Sequence, residues 1–156
     1  MQRVSVICVG KLKERFYIEA AAEYCKRLSR CCKLELVELP EQRLPENPSP
    51  AEIERALARE AEAIRSRLPA GAAVAALCVE GKLRSSEELA GLLAREEAGL
   101  AFVIGGSCGL HPSVKALAKE RLSMSPMTFP HHLARVMLLE QIYRGFQIRG
   151  GGKYHK

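Results

Sequence analysis

Three glycines follow a short apolar run, and they could let a small molecule approach the main chain. The run, residues 100–104, is rich in β-forming side chains, which is typical of a strand buried on both faces. Gly105, Gly106 and Gly109 then remove side chains where such a strand would end. Glycine permits positive φ and close approach of another molecule. By itself, a Gly-Gly pair after a strand is more often a tight turn than a ligand cradle.

A second segment with unusual backbone chemistry spans residues 122–130, where a short strand pattern breaks into a loop bounded by prolines. The dipeptides Ser125-Pro126 and Phe129-Pro130 hold the main chain out of regular pairing. N–H and C=O groups left unpaired there need other partners, and the edge of a purine could provide them. Two irregular loops at successive strand ends predict the rim of a pocket.

Two histidines and an arginine follow the second loop. His131 and His132 begin a predicted helix that extends to about Ile148, and Arg135 lies three residues after His132 on the same face. The group is either a solvated helix end or a set of contacts to phosphate or base. The helix is apolar over a wide arc, so a dimer interface is a reasonable hypothesis.

The end of the chain combines glycine with two side chains that could do chemistry. The tail, residues 149–156, contains three consecutive glycines, and its composition alone favours disorder. Tyr154 can stack on a base, and His155 can take a proton near neutral pH. The tail is therefore either a disordered end or a part of a site.

The elements that must position these groups alternate strictly between strand and helix along the 156 residues. This alternation predicts an α/β fold in a single domain, residues 1–156, with a mostly parallel sheet covered by helices on both faces. A continuous apolar run at 73–79 predicts a central strand, followed by a turn at 80–82. The carboxyl ends of parallel strands meet at one edge, so the loops at 77–81, 105–110 and 124–129 could converge on one small molecule.

The charge is moderately basic and concentrated at the two ends of the chain. The net charge is +6, from 24 Lys and Arg against 18 Asp and Glu. The first 33 residues carry eight Lys and Arg against three Glu, and residues 131–156 carry five against one. This distribution is as compatible with a nucleic-acid partner as with an ordinary mixed surface.

Several common site types have no matching motif. The glycines lack the G-x-G-x-x-G spacing of a dinucleotide-binding turn, and there is no G-x-x-x-x-G-K-[ST] phosphate loop. The six cysteines include no C-x-x-C pair, so we expect reduced thiols and no metal site. No apolar run approaches the ~20 residues of a membrane helix, and the N-terminus predicts a first strand, so we expect a cytoplasmic protein.

An ordered set of motifs runs along nearly the whole chain. It comprises Val-Gly-Lys-Leu-Lys at 9–13, Gly-Lys at 81–82, Phe-Val-Ile-Gly-Gly-Ser at 102–107, Gly-Leu at 109–110, Met-Thr-Phe-Pro-His at 127–131, Glu-Gln-Ile-Tyr-Arg at 140–144 and Tyr-His-Lys at 154–156. The set is specific, although no single motif is, and it resembles the ribosomal RNA large subunit methyltransferase H family of SPOUT-class methyltransferases.

The resemblance implies a C-terminal trefoil knot and a homodimer that binds S-adenosylmethionine in the knot loops. It also implies methylation of N3 of a pseudouridine in 23S ribosomal RNA, within the assembled ribosome. By motif, the contacts to S-adenosylmethionine and their supports would be Leu77, Gly105, Gly106, Gly109, Leu110, Met124, Ser125, Pro126, Met127, Thr128 and Phe129.

The same resemblance places Arg135, Tyr154 and His155 toward the RNA. The methyl donor is already activated, so no metal or covalent nucleophile is needed, but N3 must lose a proton. We hypothesise that His155 is the general base or a substrate positioner, with Tyr154 stacking or hydrogen bonding. Two alternatives stay open: a knotted methyltransferase that acts on transfer RNA, and a ribosome-binding factor that kept the fold but lost the donor site.

Overall fold

The computed structural model describes residues 1–156 and confirms the strict alternation of five strands with five helices. The strands are β1 (Arg3–Val9), β2 (Lys33–Leu39), β3 (Ala73–Leu83), β4 (Leu100–Ile104) and β5 (Glu120–Ser123). The helices are α1 (Arg15–Leu28), α2 (Pro50–Arg67), α3 (Ser86–Arg95), α4 (Pro112–Leu117) and α5 (His131–Arg149).

The five strands form one parallel sheet in the order β2-β1-β4-β3-β5. The middle strand is β4, whose five residues are all buried, and β3 is an inner strand between β4 and β5, as the prediction of a central strand requires. Parallel pairing brings the carboxyl ends of all five strands to the same edge of the sheet.

The predicted turn at 80–82 is instead an irregular part of β3. The pairing of β3 with β5 changes register between Leu77 and Lys82, and both residues pair with Leu122. A Cβ atom at Gly81 would lie 2.8 Å from the carbonyl group of Arg121. Because Gly81 has no side chain, the bulged β3 can continue close beside β5 and does not end in a turn.

Helices cover both faces of the sheet, as the alternation predicts. Side chains from α1, α3 and α5 pack on one face, including Leu28, Leu93 and Leu139, which are fully buried. Ile64 of α2 and Val114 of α4 pack on the other face. Alternate residues of the buried strands serve the two cores, because successive side chains of a strand point to opposite sides.

Two of the helices begin at capping boxes that the Ser-x-x-Glu pattern predicts. Ser49 and Glu52 form a capping box at the start of α2, and Ser85 and Glu88 form another at α3. These caps fix where the chain leaves the preceding connection and so set the positions of the helices that flank the sheet. No helix is both long enough and apolar enough to cross a membrane.

Candidate functional site

A cleft of about 720 Å³ lies at the carboxyl ends of β3, β4 and β5. This volume falls in the usual range for small-molecule sites, and the position is the one expected for a ligand of a parallel sheet. Of the residues predicted to contact S-adenosylmethionine, all but Pro126 line this cleft: Leu77, Gly105, Gly106, Gly109, Leu110, Met124, Ser125, Met127, Thr128 and Phe129. Whether they bind a ligand stays a prediction.

The first wall of the cleft is the glycine loop, residues 105–110. It is a tight turn, because the N–H of Gly109 donates to the carbonyl of Gly106 at 3.0 Å and Gly109 has a φ of +79°. A Cβ atom at Gly105 would overlap the main chain of Gly109. The glycines therefore form a tight turn and a wall of the cleft at once, because the closely packed turn leaves its main chain facing the cleft.

The second wall is the proline-bounded loop, residues 124–130. Hydroxyl groups organise part of its main chain: the Ser123 hydroxyl donates to the Ser125 carbonyl at 3.0 Å, and the Met127 N–H donates to Ser125 Oγ at 3.0 Å. Met127 is 73% exposed, an unusual position for a large apolar side chain. The loop thus offers apolar surface at the open side of the cleft.

Glu41 holds the glycine loop from outside, and the sequence did not indicate it. Both the N–H and the hydroxyl of Ser107 donate to Glu41 Oε1, each at 2.8 Å. Burial raises the pKa of Glu41, but the bonds from Ser107 and the nearby His131 and His132 outweigh it and leave the pKa below its usual value. Glu41 is therefore an anion that accepts two hydrogen bonds from a cleft-lining loop.

His131 is a titratable side chain in the cleft wall, at the first turn of α5. Burial lowers its pKa below the usual value, and His132, whose ring centre lies 4.2 Å away, adds to this effect. The Nε2 atoms of His131 and His132 are both buried without a hydrogen-bond partner. The alternative of a solvated helix end therefore does not describe this pair.

Arg135 lies inside the protein. It is 1% exposed, its Nη1 is 2.5 Å from Glu38 Oε2, and its Nη2 donates to the carbonyl of Gly10 at 2.8 Å. Burial raises the pKa of Glu38, but the hydrogen bonds from Arg135 and the Leu12 N–H, together with the positive charges of Arg135 and Lys11, outweigh it and lower the pKa overall. The guanidinium ties α5 to the ends of β1 and β2, and the expectation that Arg135 lies toward RNA stays a prediction.

The tail, residues 149–156, packs on α5, whereas composition had favoured disorder. The Tyr154 hydroxyl donates to Glu140 at 3.0 Å, and its ring meets the ring of Tyr143 at a centroid distance of 4.9 Å. The guanidinium of Arg144 lies 4.8 Å from the centre of the Tyr154 ring. Burial and the Glu140 carboxylate raise the pKa of Tyr154 to about 12, so the phenol keeps its proton near neutral pH.

His155 is held through both ring nitrogens. Its Nε2 lies 2.8 Å from Glu87 on α3, and its Nδ1 lies 3.2 Å from Nη1 of Arg144. A guanidinium can only donate, so Nδ1 accepts and Nε2 carries a proton for Glu87. To take a proton from a substrate, His155 must first exchange one of these partners.

Within one chain, the tail and the cleft are separate regions. Ala134 is the last residue of α5 that lines the cleft, and neither Tyr154 nor His155 lines it. From His131 to Arg144 the helix rises about 20 Å at 1.5 Å per residue. The structure thus brings together the predicted cofactor residues and leaves the predicted catalytic residues outside their cleft.

No group of three or more His, Cys, Asp and Glu side chains is arranged to hold a metal ion. The cleft offers main-chain groups, apolar side chains, hydroxyl groups, two cysteines, one histidine and the charged side chains of Glu80 and Lys115.

Comparison with known proteins gives a family match across the chain. A family described as "Predicted SPOUT methyltransferase" matches residues 2–155. The chain is 46% identical to a protein of Ligilactobacillus salivarius and 44% identical to one of Levilactobacillus brevis, and each match covers 98% of the chain and 99% of the relative. Both relatives are named ribosomal RNA large subunit methyltransferase H.

A solved structure, described as a probable methyltransferase from Bordetella pertussis, shares the fold. It superposes with a TM-score of 0.57 at 18% identity, over 93% of this chain and 95% of that chain. At this low identity the likeness concerns the fold alone.

Proposed function

This chain belongs to the SPOUT methyltransferase family, and we propose that it methylates N3 of a pseudouridine in 23S ribosomal RNA with S-adenosylmethionine as donor. The observation that carries this proposal is the single cleft that the glycine loop and the proline-bounded loop form at the carboxyl edge of the sheet. The names of the relatives support ribosomal RNA as the substrate class. A ribosomal substrate would place the reaction in the cytoplasm.

The lining of the cleft fits a donor that combines a purine, a ribose and a charged amino-acid part. Leu77, Leu110 and Leu122 supply apolar surface for a ring, and the glycine loop supplies main chain that a ligand can approach closely. When bound, S-adenosylmethionine supplies an electrophilic methyl carbon on a positively charged sulfur. The residues of the chain then need only hold that carbon in line with N3, which is a proximity effect.

The substrate nitrogen carries a proton at neutral pH, so a basic group must accept it. His155 is our candidate for this general base, because its Nδ1 faces the guanidinium of Arg144, which can only donate, and so presents a lone pair that could take a proton once that partner is exchanged. Tyr154 keeps its proton and would act as a hydrogen-bond donor or a stacking surface. Arg135 enters as a positioning residue, since its guanidinium ties α5 to Glu38 and Gly10.

A homodimer would resolve the separation between the tail and the cleft. His155 lies beside Glu87 and Arg144, and Arg144 is about 15 Å along α5 from Ala134, the last helix residue of the cleft, by helix rise. We therefore propose that the tail of one protomer acts at the cleft of its partner, as a two-fold dimer permits. The trefoil knot of the family would lie in the C-terminal segment that contains both loops of the cleft.

The test combines donor binding with identification of the product. We expect calorimetric titration with S-adenosylmethionine to show binding to the full chain. Mass spectrometry of RNA from a strain lacking the gene should show loss of a methylated pseudouridine from 23S ribosomal RNA, restored when the gene returns. Loss from transfer RNA would instead show a transfer-RNA enzyme, and ribosome binding without donor binding would show a non-catalytic factor.

A further inference from the structure

We propose that Glu41 is a positioning residue that holds the glycine loop in the conformation that binds the methyl donor; this inference rests on the proposed methyltransferase function. Glu41 lies in the connection between β2 and α2, and it is 66 residues from Ser107 in the sequence. It does not line the cleft. Its effect on the donor would therefore pass through the loop and not through direct contact.

The carboxylate of Glu41 clamps the turn at two adjacent residues. Oε1 accepts both the N–H and the hydroxyl of Ser107, each at 2.8 Å. The same oxygen would lie 2.5 Å from a Cβ atom at Gly106. Glycine at 106 thus has a reason beyond the turn itself, because any side chain there would push the carboxylate away from Ser107.

The clamp is supported from behind. The N–H of Gln42 donates to Glu60 Oε2 at 2.9 Å, and Glu60 is a largely buried residue of α2. This bond fixes the main chain next to Glu41 on the helix that covers the sheet. The second oxygen of Glu41 lies 3.8 Å from Nε2 of His131, which lines the cleft. Glu41 thus lies between the glycine loop and the start of α5, and its neighbour Gln42 ties this segment to α2.

Order in the glycine loop matters for donor affinity because glycine loses more backbone freedom than other residues when it is fixed. Without the clamp, the ligand would have to order Gly105 to Gly109 as it binds. Glu41→Ala removes hydrogen bonds to a charged group, so we expect it to lower the affinity for S-adenosylmethionine about tenfold or more. Glu41→Gln keeps an acceptor oxygen and should lose less, and Ser107→Ala, which keeps the N–H bond, should also lose less.

The matched control is Glu46→Gln, in the same connection between β2 and α2. Glu46 is exposed, and no hydrogen bond or ion pair of its side chain is present. This variant changes the net charge by the same amount as Glu41→Gln and should leave donor affinity and melting temperature unchanged. It separates a charge effect from loss of the clamp.

A double variant distinguishes positioning from general structural damage. In the wild-type background, Gly106→Ala must displace the Glu41 carboxylate and should weaken donor binding. In the Glu41→Ala background that oxygen is gone, so the added methyl should weaken binding far less. The two losses should therefore be clearly less than additive, which is the mark of one shared contact.

The experiment is calorimetric titration of full-length wild type and these variants with S-adenosylmethionine, with melting curves alongside. Two results together would support the assignment. Glu41→Ala should bind the donor more weakly at an unchanged melting temperature, and the losses of affinity in Glu41→Ala and Gly106→Ala should be less than additive in the double variant. Wild-type donor affinity in a folded Glu41→Ala would overturn it. If Glu41→Ala does not fold, wild-type donor affinity in both Glu41→Gln and Ser107→Ala would overturn it. A wild-type chain that does not bind the donor would overturn the proposed function and the inference together.

Discussion

Two glycine-rich segments of this molecule are ordered in the same way but placed for different work. The glycine loop is held by Glu41 through Ser107, and the tail is held by Glu140 through Tyr154. The loop is fixed at both ends by β4 and α4 and lines the cleft. The tail is fixed at one end and lies along α5, away from the cleft of its own chain. In our proposal, the difference separates donor binding, which would use the cleft of one chain, from proton transfer, which would use the tail of a second.

The largest effect should come from the tail. We expect His155→Ala to lower the rate of ribosome methylation by about 10²- to 10⁴-fold, the usual contribution of a general base. Donor affinity should change little, because His155 does not line the cleft of its own chain and would act on the substrate nitrogen at the cleft of the partner. Single-turnover methylation of ribosomes and calorimetric titration of the same preparation measure the two quantities. Wild-type turnover in this variant would remove His155 from the proposed mechanism.

A mixing experiment serves as the control for this variant. His155→Ala retains a working cleft, and Gly105→Ala retains a working tail. If the tail acts at the cleft of the partner, equal mixing with subunit exchange should restore about a quarter of the active sites in a two-fold dimer. No recovery after proven exchange would show that the tail does not act across a dimer.

The glycine loop should show the next largest effect, and on binding. In Gly105→Ala the added Cβ would overlap the main chain of Gly109. The backbone shifts that such overpacking forces cost about 1–3 kcal/mol. We expect donor affinity to fall accordingly, as measured by calorimetry. Gly91→Ala in α3 is the matched control, because its Cβ would have ordinary space, with the nearest atom 3.4 Å away. Equal effects of both changes on donor affinity would argue against a steric role for the loop.

Arg135 tests whether the start of α5 faces RNA or the protein interior. Arg135→Met would leave Glu38 and the Gly10 carbonyl without their partner. We expect a loss of unfolding free energy of about 3 kcal/mol, at the low end for a broken buried pair because Glu38 is partly exposed. Urea unfolding measures it. Arg15→Gln, which breaks an exposed pair with Glu19, should cost about 0.5 kcal/mol or less. Unchanged stability with weaker RNA binding in Arg135→Met would favour direct RNA contact.

The smallest effect should be a dependence of folding stability on pH, caused by the titration of His131 in the cleft wall. Burial lowers the pKa of His131, so near its unfolded value of about 6.5 the folded state binds fewer protons than the unfolded state. Stability should therefore fall as the pH drops below that value. Glu41 adds a separate loss at lower pH, because its folded pKa is also below normal. The melting temperature of His131→Gln should depend less on pH than that of the wild type between about pH 5 and 7. An unchanged slope would contradict this explanation.

The sequence predicted the features that depend on local patterns. Apolar periodicity predicts the alternating elements, Ser49 with Glu52 predicts the start of α2, and the glycines after β4 predict an open main chain. Because parallel strands end at one edge, these local signals together predict where the cleft lies. The proline dipeptides add the second wall for the same reason.

The parts that the sequence did not predict depend on contacts between distant residues. Glu41 lies 66 residues from Ser107, and Glu38 lies 97 residues from Arg135. A glutamate in a proline-rich connection and an arginine on a helix carry no local sign of these partners. The order of the tail has the same cause, since glycines suggest freedom while Tyr154 and His155 find partners on α3 and α5.

The most direct test is hydrogen exchange of the full chain with and without S-adenosylmethionine, in the absence of RNA. We predict that the donor slows exchange at residues 105–110 and 124–129 and leaves α3, Ser86–Arg95, without comparable protection. Protection that misses both loops, or no protection at saturating donor, would contradict the claim that these two loops form the donor site.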